Sequence, residues 1–389
     1  MVAYPLMSYE LSEELVALSD SARSFAEREI VPVVEDAERT ETFPRQLYGK
    51  AGQAGFIGMR YPAELGGQGS GILAEVLWRE ATSYQCAGIG SALSVPGNIG
   101  SYPIYEFGST DQQQRYLPKV TAGEWMGAFA LTEPEAGSDV QGIRSTAERK
   151  NGRWILNGRK MFITCAPSAD FFIFTAYADR ELGYEGIANF ILDRDRLPAD
   201  AVRPLKTLGH RSSEVGEVVV DQIEVPEDAV IGEPTGGFKR AAATLNGGRL
   251  VVAGGALGTG QRAVDVSVAY AKERRAFGRE IGGFQAVAFR IADIAAQVDS
   301  ARVTVYWASS LWDEGKATPK EVAVAKLVAT EAAVNAASES MRTFGGYAYI
   351  GGEFPIERLY RDARYYVIVE GTSDVQRLIL SRQLGLRPQ

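Results

Sequence analysis

One histidine and two cysteines in 389 residues leave little room for metal chemistry. His210 alone cannot furnish a multi-histidine zinc or non-haem iron site, and Cys86 with Cys165 cannot supply a thiolate cluster or a disulfide scaffold. Long apolar runs are lacking too, since none approaches the ~18 to 20 residues of a membrane helix. Met1 to Ser8 has neither the basic stretch nor the apolar core of a secretory leader, so a cytoplasmic location without a membrane span is expected. Basic charge is in deficit, with 41 Lys and Arg against 49 Asp and Glu, for a net charge of -8. Residues 1–232 hold 21 basic and 33 acidic side chains, and 233–389 hold 20 and 16. So small and dispersed a basic excess speaks against nucleic acid as a partner, while suiting a small phosphorylated ligand in the second part. Catalysis is left to carboxylates, hydroxyls, backbone amides or a bound organic cofactor.

What is present is an ordinary globular composition, 46% hydrophobic and 23% charged, long enough for about two or three domains. Leu15, Val16, Leu18, Ala22, Phe25, Ala26 and Ile30, spaced by threes and fours, predict a helix that stops near Pro32. Further helices are expected about 46–55, 74–88 and 111–122. From about 125 to 232 the texture turns to short β-branched or alternating runs at 126–131, 154–156, 171–176, 188–192 and 217–220. Asn151-Gly152 predicts a hairpin turn, and Asn157-Gly158 a second tight turn. After Gly236-Gly237 the helical period returns. Phe284, Val287, Ile291, Ile294, Ala295, Val298, Ala301 and Val305 keep near one face of a long helix, and 320–343 and 373–384 continue the pattern. The domains expected are 1–122 helical, 123–234 β and 235–389 helical.

The stretch 254–260, Gly-Gly-Ala-Leu-Gly-Thr-Gly, has the glycine density of a dinucleotide loop, but no strand precedes it; close helix packing is the better account. Residues 130–139, Ala-Leu-Thr-Glu-Pro-Glu-Ala-Gly-Ser-Asp, join a β run to a turn rich in hydroxyls and amides, a surface able to bond the edge of a heteroaromatic ring or a phosphate. In Lys160-Met161-Phe162-Ile163-Thr164 an aromatic and a hydroxyl stand two apart, on one side of an extended strand. Downstream come Glu273-Arg274-Arg275-Ala276-Phe277-Gly278, then Phe284-Gln285, Phe344-Gly345-Gly346-Tyr347, and Glu370-Gly371-Thr372-Ser373-Asp374-Val375-Gln376.

This ordered set resembles the acyl-CoA dehydrogenase family of flavoproteins over essentially the whole chain. The resemblance implies an α+β multidomain fold with an N-terminal helical domain, a central β-barrel and a C-terminal four-helix bundle. It implies FAD, and a homo-oligomer, usually a tetramer built as a dimer of dimers. Carried over by position, Phe129, Leu131, Thr132, Gly137, Ser138, Phe162, Ile163 and Thr164 would surround the isoalloxazine ring. Arg274, Phe277, Gln285, Arg342, Gly345 and Gly346 would hold the pyrophosphate and adenosine from a neighbouring subunit. Thr372 and Asp374 would close the site, and Ser138, Asn246, Arg249 and Gly371 would contact the substrate.

The family, active in fatty acid metabolism, oxidises the Cα–Cβ bond of an acyl thioester to a trans enoyl thioester, coupling removal of the α proton to departure of the β hydride to flavin. Glu370 is the candidate base, against a plain reading as a glutamate that caps the next helix. Where some branches carry the base on an earlier helix, Gly248 has no side chain to ionise. Phe162 stands where tryptophan is common and Val369 where tyrosine is common, so the pocket is expected to be more apolar or wider. Arg342 stands where glutamine is common. Residues 95–105 should line the acyl cavity, and His210 reads as structural or pocket-rim. The expected partners are an acyl-CoA or acyl-carrier-protein thioester and an electron-transfer flavoprotein. The alternatives are a carrier-protein dehydrogenase, an oxidase-type relative, or a catalytically silent binding protein.

Overall fold

Apolar periodicity in the first 120 residues becomes a run of helices, and a computed structural model describes residues 11–386 of the chain. The amino-terminal eight residues, on which the leader reading rests, lie outside that range. The helices are α1 Glu13–Phe25, α2 Val34–Thr40, α3 Gln46–Gln53, α4 Ile72–Gln85, α5 Ala87–Ser94, α6 Tyr102–Phe107 and α7 Thr110–Thr121. Strands follow: β1 Gly127–Ala130, β2 Thr146–Lys150, β3 Arg153–Ile163, β4 Phe171–Tyr177, β5 Ile187–Asp193, β6 Val202–Pro204 and β7 Gly216–Pro226. After α8 (Gly237–Glu273) come the small hairpin β8 Arg275–Ala276 and β9 Arg279–Glu280, then α9 Gln285–Asp313, α10 Pro319–Phe344, α11 Ile356–Tyr366 and α12 Ser373–Gln383. Two compact units result, one made of 11–32, 71–87 and 249–386, the other of 33–70 and 88–248. No helix of the described residues is long and apolar enough to cross a membrane.

The second unit is organised by a seven-stranded sheet. β4, buried along its whole length, carries antiparallel β5 on one edge and parallel β1, then β2, on the other. From β2 the path runs through β3 and β7 to β6. Phe172, Phe174, Phe190 and Leu192 fill its core. The barrel expected from sequence is therefore a sheet curled part-way round. β6 has three residues and ends in Pro204, which has no amide to continue a ladder, and it pairs with β7 alone. Asn151 (φ 53°) and Gly152 (φ 71°) make the predicted β2–β3 hairpin turn. The second turn expected at Asn157-Gly158 is instead a bulge inside one eleven-residue strand, where the β3–β7 register shifts between Leu156 and Gly158 and Gln222 opposite adopts φ 50°. A Cβ at Gly158 would fall on the Ser145 side chain, so the glycine serves close packing rather than a reversal.

In the first unit the glycine-rich stretch lies inside α8, as its missing strand foretold. A Cβ at Gly254 would meet the Val76 carbonyl at 2.6 Å and one at Gly258 the Tyr84 amide at 2.8 Å, so these glycines let α8 and α4 approach backbone to backbone. Ile291, Ile294, Val298, Ala301 and Val305 are buried on the predicted face of α9, and α10 buries its own alanine-rich face. The first turn of α4 is capped from afar, with the Asp313 carboxylate accepting from the amides of Ile72 (2.6 Å) and Leu73 (3.2 Å). Pro32 does not break the chain's helical course, since a 3₁₀ turn over Val31–Val33 leads straight into α2.

Candidate active site

In the sheet unit, a buried ion pair underlies the loop after β1. Lys160, fully buried on β3, donates to the Leu131 carbonyl (3.0 Å) and to a carboxylate oxygen of Glu133 (2.7 Å). Glu133 also accepts from the Ser145 hydroxyl (2.6 Å) and amide (3.1 Å), and the Met161 amide donates to the Thr132 carbonyl (2.8 Å). Burial pushes the Lys160 ammonium down to about 8, opposed by the charge of Glu133. Burial alone would raise the Glu133 carboxyl, but Lys160 and the hydrogen bonds from Ser145 and Arg144 hold it below its ordinary range. The pair thus stays ionic near neutrality and fixes Leu131 to Glu133 as a rigid ledge. Phe129, Leu131 and Ile163 are buried, Thr132 and Thr164 are half-buried, and Gly137 and Ser138 are exposed.

Phe162 departs from the simple strand reading. It adopts φ 61° where the β3–β7 register slips between Lys160 and Ile163, and it leaves 63% of its surface exposed. A left-handed aromatic costs about 1–2 kcal/mol and persists only where its surroundings impose it. The alternation expected to put Phe162 and Thr164 on one side of a strand is therefore broken: the ring is turned out at a bulge, and Thr164 lies beyond the strand end. In the segment 95–105, the Tyr105 ring lies tilted against Tyr61 (centroids 4.9 Å apart), and Arg60 lies over Tyr102 (4.4 Å). His210 is buried with Nδ1 facing the Ser91 hydroxyl at 3.1 Å, in keeping with a structural role.

In the helical unit, the loop between α11 and α12 places Glu370 at φ 51° and Gly371 at φ 91°, two consecutive left-handed residues. Three side chains hold that shape. Arg249 Nε donates to the Glu370 carbonyl (3.0 Å), while Lys326 Nζ (2.9 Å) and Gln376 Nε2 (2.8 Å) both donate to the Gly371 carbonyl. A Cβ on Gly371 would meet Gln376 Nε2 at 2.9 Å and Val375 at 3.2 Å. Burial lowers Arg249 and pushes Lys326 down to about 8, in each case opposed by the charge of Glu370. The helix cap is Thr372, whose hydroxyl accepts from the Val375 amide (3.2 Å), so Glu370 is not serving as the cap. Asp374 is exposed and pairs with Arg377 (3.0 Å). Asn246 lies half-buried three residues before Arg249 on α8.

The remaining expected residues are only partly brought together. Arg274, Gly345 and Gly346 line one pocket of about 500 Å³ with Tyr270, Phe344 and Tyr347. The guanidinium of Arg274 lies 5.4 Å from the Tyr347 ring centroid. Phe277 is the tip of the β8–β9 hairpin, at φ 50° and 95% exposed, and Gln285 opens α9; neither lines that pocket. Arg342 is spent on Glu339 (2.9 Å) and is also absent from the pocket wall. Sequence reasoning quoted Glu133, Lys160 and Gln376 within its motifs but gave them no role, and missed Lys326 altogether. The available signal was a lysine at an inward strand position and a lysine on the apolar face of α10, among Val322, Ala325 and Ala329.

Three family models match the chain in order: acyl-CoA dehydrogenase, N-terminal domain over residues 12–124, middle domain over 128–223 and C-terminal domain over 235–385. An acyl-CoA dehydrogenase of Bacillus subtilis is 39% identical over 374 residues, 96% of this chain and 98% of its own. The caffeyl-CoA reductase-Etf complex subunit CarC of Acetobacterium woodii is 36% identical over 375 residues, again 96% and 98%. A solved glutaryl-coenzyme A dehydrogenase in complex with glutaryl-CoA superposes with a TM-score of 0.94 at 35% identity, covering 98% of both chains. These likenesses define an enzyme, an oxidoreductase that acts on CH–CH bonds with a flavin acceptor. The chain belongs to the acyl-CoA dehydrogenase family.

Proposed function

We propose that the protein catalyses the FAD-dependent α,β-dehydrogenation of an acyl thioester, acyl-CoA to trans-2-enoyl-CoA, with Glu370 as the base. The carrying observation is the Glu370 loop itself: a carboxylate on a left-handed backbone, its own carbonyl and the next one fastened by Arg249, Lys326 and Gln376. Such strain in an otherwise ordinary helix–helix connection is paid for by aiming a side chain. Glu370 takes the α proton onto a carboxylate oxygen, and its backbone N–H donates to the thioester carbonyl, stabilising the charge that develops there. Bound FAD would supply the two-electron acceptor for the β hydride.

The residues present suit that cofactor. Phe162 offers an exposed flat face to a planar ring, and Leu131 to Ser138 with Thr164 offer amides and hydroxyls to its edge. Added Cβ atoms at Gly137, Gly345 and Gly346 would meet nothing within 4 Å, so these backbones are open to close approach by a ligand. Arg274 would be the cation for a pyrophosphate, the exposed Phe277 and Gln285 would serve the adenosine of a neighbouring copy in a tetramer, and the C-terminal helices of each chain would form the four-helix bundle. Ser138, Asn246, Arg249 and Gly371 would contact the thioester, Thr372 and Asp374 would close the site, and residues 95–105 would bound the acyl chain. An electron-transfer flavoprotein is the acceptor this reading favours, supported by the Etf partner in the name of the CarC relative. The compartment it favours is the cytoplasm.

Glu370→Gln decides the base. The variant is expected to purify yellow with an unchanged flavin spectrum and to lose anaerobic bleaching by acyl-CoA by about 10²- to 10⁴-fold, the usual contribution of a positioned general base. Bleaching at the parental rate would overturn the assignment.

A further inference from the structure

We infer that Lys326 and Gln376 form a clamp on the Gly371 carbonyl that positions Glu370 for proton abstraction, an inference that rests on the reading of Glu370 as the base. Both donors reach one oxygen, at 2.9 and 2.8 Å, and both side chains come from fully buried residues, Lys326 on α10 and Gln376 on α12. A carbonyl with two lone pairs is thereby saturated by two side chains that share no secondary structure element. The carbonyl they hold belongs to the Gly371–Thr372 peptide, separated from the Glu370–Gly371 peptide only by the Gly371 Cα: Gly371 has φ 91°, and its carbonyl orientation fixes the peptide plane that leads into the α12 cap. Releasing it would let two left-handed residues relax toward the commoner basin, which lies about 1–2 kcal/mol lower for a residue with a Cβ.

The chemistry of the two donors differs, and so do their roles. Gln376 is neutral and rigidly placed, since it stands on the first turn of the helix that Thr372 caps. Lys326 adds a charge. The groups that face it are Glu370 and Glu331, which favour the ammonium, and Arg249, which opposes it. A buried lysine used only for packing would be replaced by methionine at little cost; one that donates to a carbonyl and faces a carboxylate cannot be.

Neither side chain is placed to touch the reacting atoms, so both are positioning residues. The test is anaerobic bleaching of bound flavin by saturating acyl-CoA in the full-length holoenzyme, for Lys326→Met, Gln376→Met and Lys326→Arg, beside Glu370→Gln. A displacement of the base by about 1 Å predicts a loss of roughly 10- to 100-fold in the first-order rate for Lys326→Met. It predicts a smaller loss, roughly 3- to 10-fold, for Gln376→Met, which leaves the lysine in place. Flavin content and enoyl-CoA affinity should stay within about twofold of the parent, because the loss lies in the chemical step and not in uniform binding. Lys326→Arg, which keeps a cationic donor, should recover most of the rate. Parental rates per bound flavin in both methionine variants, with Glu370→Gln inactive, would overturn the clamp and leave the base standing. An active Glu370→Gln would remove the base reading itself. If Lys326→Met fails to retain flavin, Gln376→Met decides alone, and an unchanged rate there refutes the clamp.

Discussion

Two short connections of the helical unit treat their residues in opposite ways. The α11–α12 loop bends through two left-handed residues and fastens both carbonyls with side chains of the same unit, two of them cationic and two fully buried. The β8–β9 hairpin also bends through two left-handed residues, Phe277 (φ 50°) and Gly278 (φ 79°), yet leaves the phenylalanine 95% exposed. Local strain is thus common to both, but the hairpin's own support is slight and local: the exposed Arg275 donates to the Gly278 carbonyl (3.1 Å), and the Phe277 ring meets Phe284 edge-on at 6.0 Å. A residue that must aim at a reacting bond needs its supporting contacts in place before the ligand arrives. In the reading proposed above, the exposed ring of Phe277 would meet the adenosine bound to a neighbouring copy.

The strongest way to break this contrast is Gly371→Ala. The new Cβ must sit at φ 91° and within 3.2 Å of both Gln376 and Val375, so the clamp has to open. Stability should fall by about 1–2 kcal/mol from the left-handed backbone alone, and flavin bleaching by roughly 100-fold from misplacement of the base. Urea unfolding and anaerobic bleaching check the two; an alanine variant as fast as the parent would show the loop to be tolerant where it is described as fixed.

A middle-sized effect is expected from pH. Lys326 titrates at about 8 in the fold, against an ordinary value of 10.5, so between these values the unfolded chain binds more protons than the native one. The lysine's contribution to stability therefore rises as pH rises through that window, and is at its least below pH 8. Relative to the parent, Lys326→Met should lack this upward term, so the parent-minus-variant difference in unfolding free energy should grow between pH 8 and 10. A difference that stays flat or shrinks would contradict the burial of the charge. Smallest of all is Phe277→Ala, expected to change the unfolding free energy of the isolated chain by no more than about 0.5 kcal/mol. Its effect should appear in retention of FAD on dialysis and in sedimentation of the assembled protein, and no change in either would leave the exposed ring without a role.

Much of the architecture could be read before any coordinates. Asn151-Gly152 dictates its turn chemically, the α9 stripe dictates a buried face, and the glycines of α8 were legible as packing once no strand preceded them. What escaped was whatever depends on a partner distant in sequence. β6 is too short to show a period, and its existence depends on β7. The bulge at Asn157-Gly158 mimics a turn because the same residues suit both, and only pairing with Gln222 decides between them. Phe162 alternates correctly on paper, yet the register slip turns it outward. The motif at 370–376 marked the α11–α12 loop, but not its two left-handed residues. Lys326 was not legible, because its single carbonyl partner lies 45 residues away.

The cap on α4 has a consequence for synthesis. Its first amides are satisfied by a carboxylate that stands 241 residues further along the chain. At roughly 5–20 residues per second, a ribosome would need about 10 to 50 seconds to deliver that carboxylate after α4 has emerged. Through that interval the amino end of α4 lacks its carboxylate, and truncation before Asp313 should leave the amides of Ile72 and Leu73 without that cap.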